Sequence, residues 1–324
     1  MSNSQFACAK IKMIQSKSIQ KTDIDRLLDA SSYKDAKQVL VDLSIIPTVN
    51  DDYEFYLEKI FDKACSNLSR YCNDQNLKNA LLIPYVAHNL KMLFKARILG
   101  IEADYLYNVG IFKLEDLKRY VINHNYKALP KQLRLAMEEL EKLIIKDFEV
   151  YLIDTTIDKA CYNYIFELIN KVNDPLLIEY FNNKVVFSNT ITVQRLKRMG
   201  KTPEMIKDVL LESNLISKEL FIKSYNAPIK LYNQLRSINK DFAVEYMRFI
   251  NHHISLSDLE KTADNVLIST FKSTEYMQID INNFILYLLK LQRSLLAIRL
   301  IMSIKASGQS DDEIRERLRD TYAR

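Results

Sequence analysis

The chain has 324 residues, 48% of them hydrophobic and 27% charged, with a formal net charge of +5. Only 4 are glycine, where an average chain of this length carries roughly 20; sheets and dinucleotide folds, which need glycine at turns and phosphate loops, are excluded in favour of an all-α fold. The mild, mixed charge argues against a dedicated nucleic-acid binder, and four cysteines without a Cys-x-x-Cys pair suggest neither a disulfide framework nor a zinc site.

Residues 1–20 hold no apolar run of the signal-peptide kind. The first strong helical period runs from Tyr53 to Tyr71, with Cys65 and Cys72 seven apart and expected on one apolar face. Similar stripes run from Leu133 to Leu152 and from Tyr162 to Val172. Asp174 before Pro175 and Thr202 before Pro203 each read as an N-cap followed by proline at the first helical position. Pro47, Pro84, Pro130 and Pro228 are expected breaks between helices. From Phe284 a long helix is predicted, with Phe284, Leu288, Leu291, Leu295, Ile298 and Met302 as its buried stripe. Ile285, Leu289, Leu296 and Leu300 widen the stripe, and Lys290, Arg293 and Arg299 fall off it. Those charges interrupt the most apolar stretch, so no transmembrane span is predicted. Ser310 with Glu313 forms a capping box, and the acids that follow it precede Arg315, Arg317 and Arg319, the order a helix dipole favours.

An internal repeat is the most informative feature. Gly100, Gly200 and Gly308 close the runs HNLKMLFKARILG, SNTITVQRLKRMG and LAIRLIMSIKASG. Three residues before each glycine stands a base: Arg97, Lys197 and Lys305. Seven before stands Leu93, Val193 or Ile301; eleven before stands Asn89, Asn189 or Ala297. Four after stands Asp104, Glu204 or Asp312. The pattern is a helix, a glycine C-cap and a second helix, with each helix end facing a charge that complements its dipole. The spacing of about 100 residues predicts three copies of a small helical domain, approximately 1–125, 126–225 and 226–324.

Catalysis finds little support. Neither a phosphate-binding P-loop nor a Gly-x-Gly-x-x-Gly turn is present. His252 and His253 are adjacent and point apart on a helix, so they do not read as a metal pair. No Glu-x-x-His step of a carboxylate bundle site occurs. No cofactor, metal or nucleic acid is therefore expected. Lys91, Lys95 and Arg97, with Arg195, Lys197 and Arg198, sit in equivalent helices of the first two copies. They read either as a solvated face or as a basic rim for acidic partner loops and helix C-termini.

The N-terminal run FACAKIKMIQSKSIQKTDIDRLLDASSYKDAKQVLVDL, the run HNLKMLFKARILG and the closing IRLIMSIKASGQSDDEIRERLRDTYAR resemble the C subunits of the V-type and archaeal-type rotary ATPases, which are similar in turn to the eukaryotic d subunits. Val86 and Val186 stand where that family commonly has an acid, Ala297 replaces the third asparagine, and Ser294 stands where an acid is common. The resemblance implies a funnel of three helical subdomains about a pseudo-threefold axis, seated on the cytoplasmic end of a membrane rotor ring. It implies a non-catalytic connector between rotor shaft subunits and the membrane proteolipid ring, touching the membrane only through the ring. Lys91, Lys95, Arg97, Arg195, Lys197, Arg299 and Lys305 are the expected partner contacts. A general helical protein–protein scaffold is the alternative.

Overall fold

The computed structural model describes residues 19–108, 111–143, 150–272 and 281–308. The helices in chain order are α1 (Lys21–Asp29), α2 (Tyr33–Asp42), α3 (Tyr53–Tyr71), α4 (Gln75–Leu99), α5 (Leu114–Ile122), α6 (Lys131–Leu143), α7 (Tyr151–Val172), α8 (Pro175–Arg198), α9 (Pro203–Val209), α10 (Lys218–Ser224), α11 (Pro228–Ile238), α12 (Lys240–Ile250), α13 (Leu256–Ser269) and α14 (Ile281–Ser307). Among the described residues there is no strand; the protein is all-α. None of these helices is long and apolar enough to cross a membrane. Two compact units form, one from Met1–Tyr71 with Lys261–Arg324 and one from Cys72–Glu260.

In the first unit, α14 packs against α1, α2 and α3. Its predicted stripe is buried throughout, from Phe284 to Met302. Of the residues expected to widen it only Ile285 is buried; Leu289 and Leu300 are half-buried and Leu296 is exposed, because the buried arc widens on the other side, through Ala297, Ile301 and Ile304. Facing residues Leu27, Leu40, Leu57 and Leu68 have no exposed surface. Cys65 lies in this core, and burial pushes its thiol up to about 12, leaving it unreactive at neutral pH. Cys72 lies just beyond the end of α3, so the two cysteines do not share one helix. Ser32 caps α2, its hydroxyl accepting from the Asp35 amide at 3.1 Å.

In the second unit, α4 packs on α7 and α5, while α7 packs on α6 and α8. Helices α9 to α12 pack in succession, with α10 also against α8. Leu81, Leu82, Ile83, Tyr85, Val86 and Ala87 of α4 are all buried, so this helix is enclosed around its circumference rather than along one stripe. Pro84 lies inside α4, not at a break. It removes one backbone donor from the helix ladder, and the burial of its neighbours on every side outweighs that cost. Pro130 immediately precedes α6, and Pro228 is the first residue of α11. Asp174 caps α8 as predicted, accepting from the Leu177 amide at 2.9 Å. Thr202 occupies the N-cap position of α9 but its hydroxyl caps no backbone amide. The Phe187 and Phe242 rings stack at 4.0 Å and tie α8 to α12. The Leu133–Leu152 stripe extends from α6 into the start of α7 across residues outside the described set, and Cys8, Ser310, Glu313, Arg315, Arg317 and Arg319 also lie outside it.

Candidate functional site

The three repeat glycines are the corners around which the polar chemistry gathers. Gly100, Gly200 and Gly308 all take left-handed backbone, with φ of +67°, +69° and +70°. That conformation ends a helix readily only where no Cβ stands. The base three residues earlier donates in each case to a backbone carbonyl at the end of another short helix. Arg97 Nη1 reaches Val121 O at 2.6 Å, Lys197 Nζ reaches Tyr225 O, and Lys305 Nζ reaches Ala30 O at 2.6 Å. These carbonyls lie near the C-termini of α5, α10 and α1, where unpaired acceptors and the negative dipole end favour a cation.

The asparagines eleven residues before the first two glycines act alike. Asn89 Nδ2 donates to Tyr107 O at 2.7 Å, and Tyr107 N donates to Asn89 Oδ1 at 2.9 Å. Asn189 makes the same paired bonds with Leu211, both at 2.9 Å. Each buried amide thus satisfies both backbone groups of a residue in the segment following its glycine. Ala297 has no amide to do this in the third copy, and Ser294 bonds its own helix, at Lys290 O.

The remaining expected contacts also have partners within the chain. Lys91 pairs with Asp158 at 2.8 Å and Lys95 with Asp154 at 2.7 Å, so two bases one turn apart on α4 meet two acids one turn apart on α7. Burial raises the Asp158 carboxyl above its ordinary range, against the opposing pull of Lys91. Arg195 pairs with Glu260 at 2.6 Å and retains 57% side-chain exposure. Arg299 pairs with Glu54 at 2.7 Å. The acceptors that a basic rim was expected to seek, acids and helix C-termini, are thus present in the chain itself.

Arg97 is the centre of the densest group. Its guanidinium holds Glu141 through both oxygens at 2.8 Å, His124 Nδ1 lies 3.0 Å from Glu141 Oε2, and Tyr126 OH donates to Glu141. Burial pushes the Glu141 carboxyl up, but hydrogen bonds from Arg97 and Tyr126 outweigh it and leave the group below the usual range. Sequence reasoning missed Glu141, Tyr126, Asp154 and Asp158, since nothing local links them to the glycine runs. It also missed His88, whose Nε2 lies 2.9 Å from Tyr105 O, although this histidine directly precedes the repeated asparagine. Among the described residues no group of three or more His, Cys, Asp or Glu is placed to hold a metal ion.

Long helices fastened to one another by buried amides and ion pairs across glycine corners define an all-helical protein with an internally repeated joint. The chain belongs to the ATP synthase (C/AC39) subunit family, which it matches over residues 7–317. It is similar to the C subunit of the V-type sodium ATPase of Enterococcus hirae, at 21% identity over 311 residues that cover 94% of each chain.

Proposed function

We propose that this chain is a non-catalytic connector in the central rotor of a V/A-type ATPase. In this reading it joins the rotor shaft subunits to the membrane proteolipid ring and transmits torque between ATP turnover and H+ or Na+ transport. It sits peripherally on the cytoplasmic face and meets the membrane only through the ring. The observation that carries the reading is the family match along nearly the whole chain; the likeness to the sodium ATPase protein covers 94% of each chain.

The mechanical demand on such a part is stiffness under torsion, and the repeated joints supply it. Each links a helix end to another helix through a cation and a carbonyl, and two add a buried amide pair. We read the joints as belonging to three similar subdomains, close to residues 1–125, 126–225 and 226–324. The third joint takes its carbonyl acceptor from Ala30, so in this reading the start of the chain completes the last copy. Of the proposed contacts Lys91, Lys95, Arg97, Arg195, Lys197, Arg299 and Lys305, Arg195 and Lys197 are the exposed ones.

Deleting the chain from its native cell tests the role. The expected outcome is loss of ATP-driven ion uptake by membrane vesicles, restored by the purified chain. Unchanged uptake in the deletion strain contradicts it.

A further inference from the structure

The corner at Gly100 displays apolar surface that the fold does not use. Leu99 is 63% exposed, Ile101 62% and Tyr105 76%. Solvent-facing apolar side chains are ordinary one at a time; here three fall within seven residues of one short segment. The segment is held in place. Asn89 clamps Tyr107 through two hydrogen bonds, and His88 bonds Tyr105 O. The Tyr107 ring packs edge-on to both Tyr85 and His88. Tyr105 itself stands at φ +54°, a left-handed backbone unfavourable for a bulky residue that persists only where its surroundings enforce it. Rigid aromatic and aliphatic groups presented in advance lose little entropy on binding.

The occupant follows from charge. Glu102 and Asp104 lie within the same segment, both exposed, with no cationic partner among the described residues. They disfavour an anionic bilayer surface, which attracts bases and repels acids. They equally disfavour a second copy docked on the same face, which would oppose acid to acid. The corner at Gly200 differs on this point: Met199 is 62% exposed in the matching place, but Arg198 and Lys201 flank it. We propose that residues 98–105 form a preformed docking surface for a protein segment whose apolar face is flanked by lysine or arginine. The connector reading supplies the expected source, a neighbouring protein of the assembly, and the proposal rests on it for that source alone.

The test replaces Tyr105 by a photoreactive p-benzoylphenylalanine in the full chain, irradiates native membranes, and sequences the adduct. The expected result is a crosslink to an apolar protein segment bordered by Lys or Arg. In parallel, Glu102→Lys with Asp104→Lys, both on the surface and outside every clamp, is expected to cut that crosslink about tenfold while circular dichroism stays that of the parent. A lipid adduct, a crosslink to an acidic segment, no crosslink, or a crosslink indifferent to the charge reversal overturns the proposal. The proteins recovered with the chain judge the connector reading separately: a basic adduct from a protein outside any ATPase would keep the docking surface and sink that reading.

Discussion

Asn89 and Asn189 illustrate how one side chain carries a long-range joint. Each is buried and each satisfies an N–H and a C=O that would otherwise be lost from solvent without a partner. Replacing Asn189 by Ala should cost about 2–4 kcal/mol in urea unfolding, since two backbone groups lose their partner. Asn89→Ala should cost less, because Tyr107 is less buried than Leu211. Equal and negligible effects would mean that water replaces the amide. Asp62 on α3 is a second residue-scale case. Burial, with Glu58 beside it, pushes its carboxyl up to about 6. A carboxyl raised in the fold favours the folded state while protonated, so that contribution fades as pH rises from about 4 through about 6. Asp62→Asn should therefore stabilise the protein at pH 7 by about 1 kcal/mol after allowance for solvent screening. The gain should vanish by pH 4, and thermal melts at both pH values check it. The asparagine offset was legible in the sequence as a repeated position; its paired bonding was not, because the partners lie 18 and 22 residues away in segments without a shared motif.

At the scale of the helices, composition and spacing carried far. Glycine poverty predicted helices throughout, the α14 stripe predicted the buried face of a 27-residue helix, and the glycine runs predicted helix ends; the new helix expected directly after the glycine forms after Gly200 but not after Gly100, where residues 101–108 are non-helical and α5 begins only at Leu114. Pro84 misled because the local rule prices a missing amide, whereas the enclosure of α4 is a tertiary fact. The bases near the corners were legible as a set, but their partners were not: Lys95 meets Asp154 across 59 residues and Lys305 meets Ala30 across 275. Internal pairing changes how a basic rim responds to mutation. Lys91→Glu would set a carboxylate against Asp158 and should destabilise the fold, whatever its effect on partners. The charge swap Lys91→Glu with Asp158→Lys should recover most of that loss in a double-mutant cycle. If the swapped protein folds but fails to assemble, Lys91 contacts a partner as well as Asp158. At Gly200 an added Cβ meets nothing within 4 Å, so Gly200→Ala should cost about 1 kcal/mol through backbone strain alone. A much larger loss in chemical denaturation would mean that the corner moves.

The molecule as a whole has one continuous unit and one assembled from both ends of the chain. The continuous unit, Cys72–Glu260, contains α4 to α12 with their packing partners, so its fragment should remain helical and melt cooperatively. The segment Met1–Tyr71 alone should not, since α14 supplies the packing surface of α1, α2 and α3. Circular dichroism of the two fragments decides both points. Whether the chain joins a rotor shaft to a membrane ring is decided by tagging it in its native cell, solubilising membranes gently and identifying what co-purifies. A connector should bring down the rotary ATPase proteins together with the small proteolipid of the ring. A clean preparation lacking both, from a cell that makes the complex, would contradict the connector role and favour a general helical scaffold.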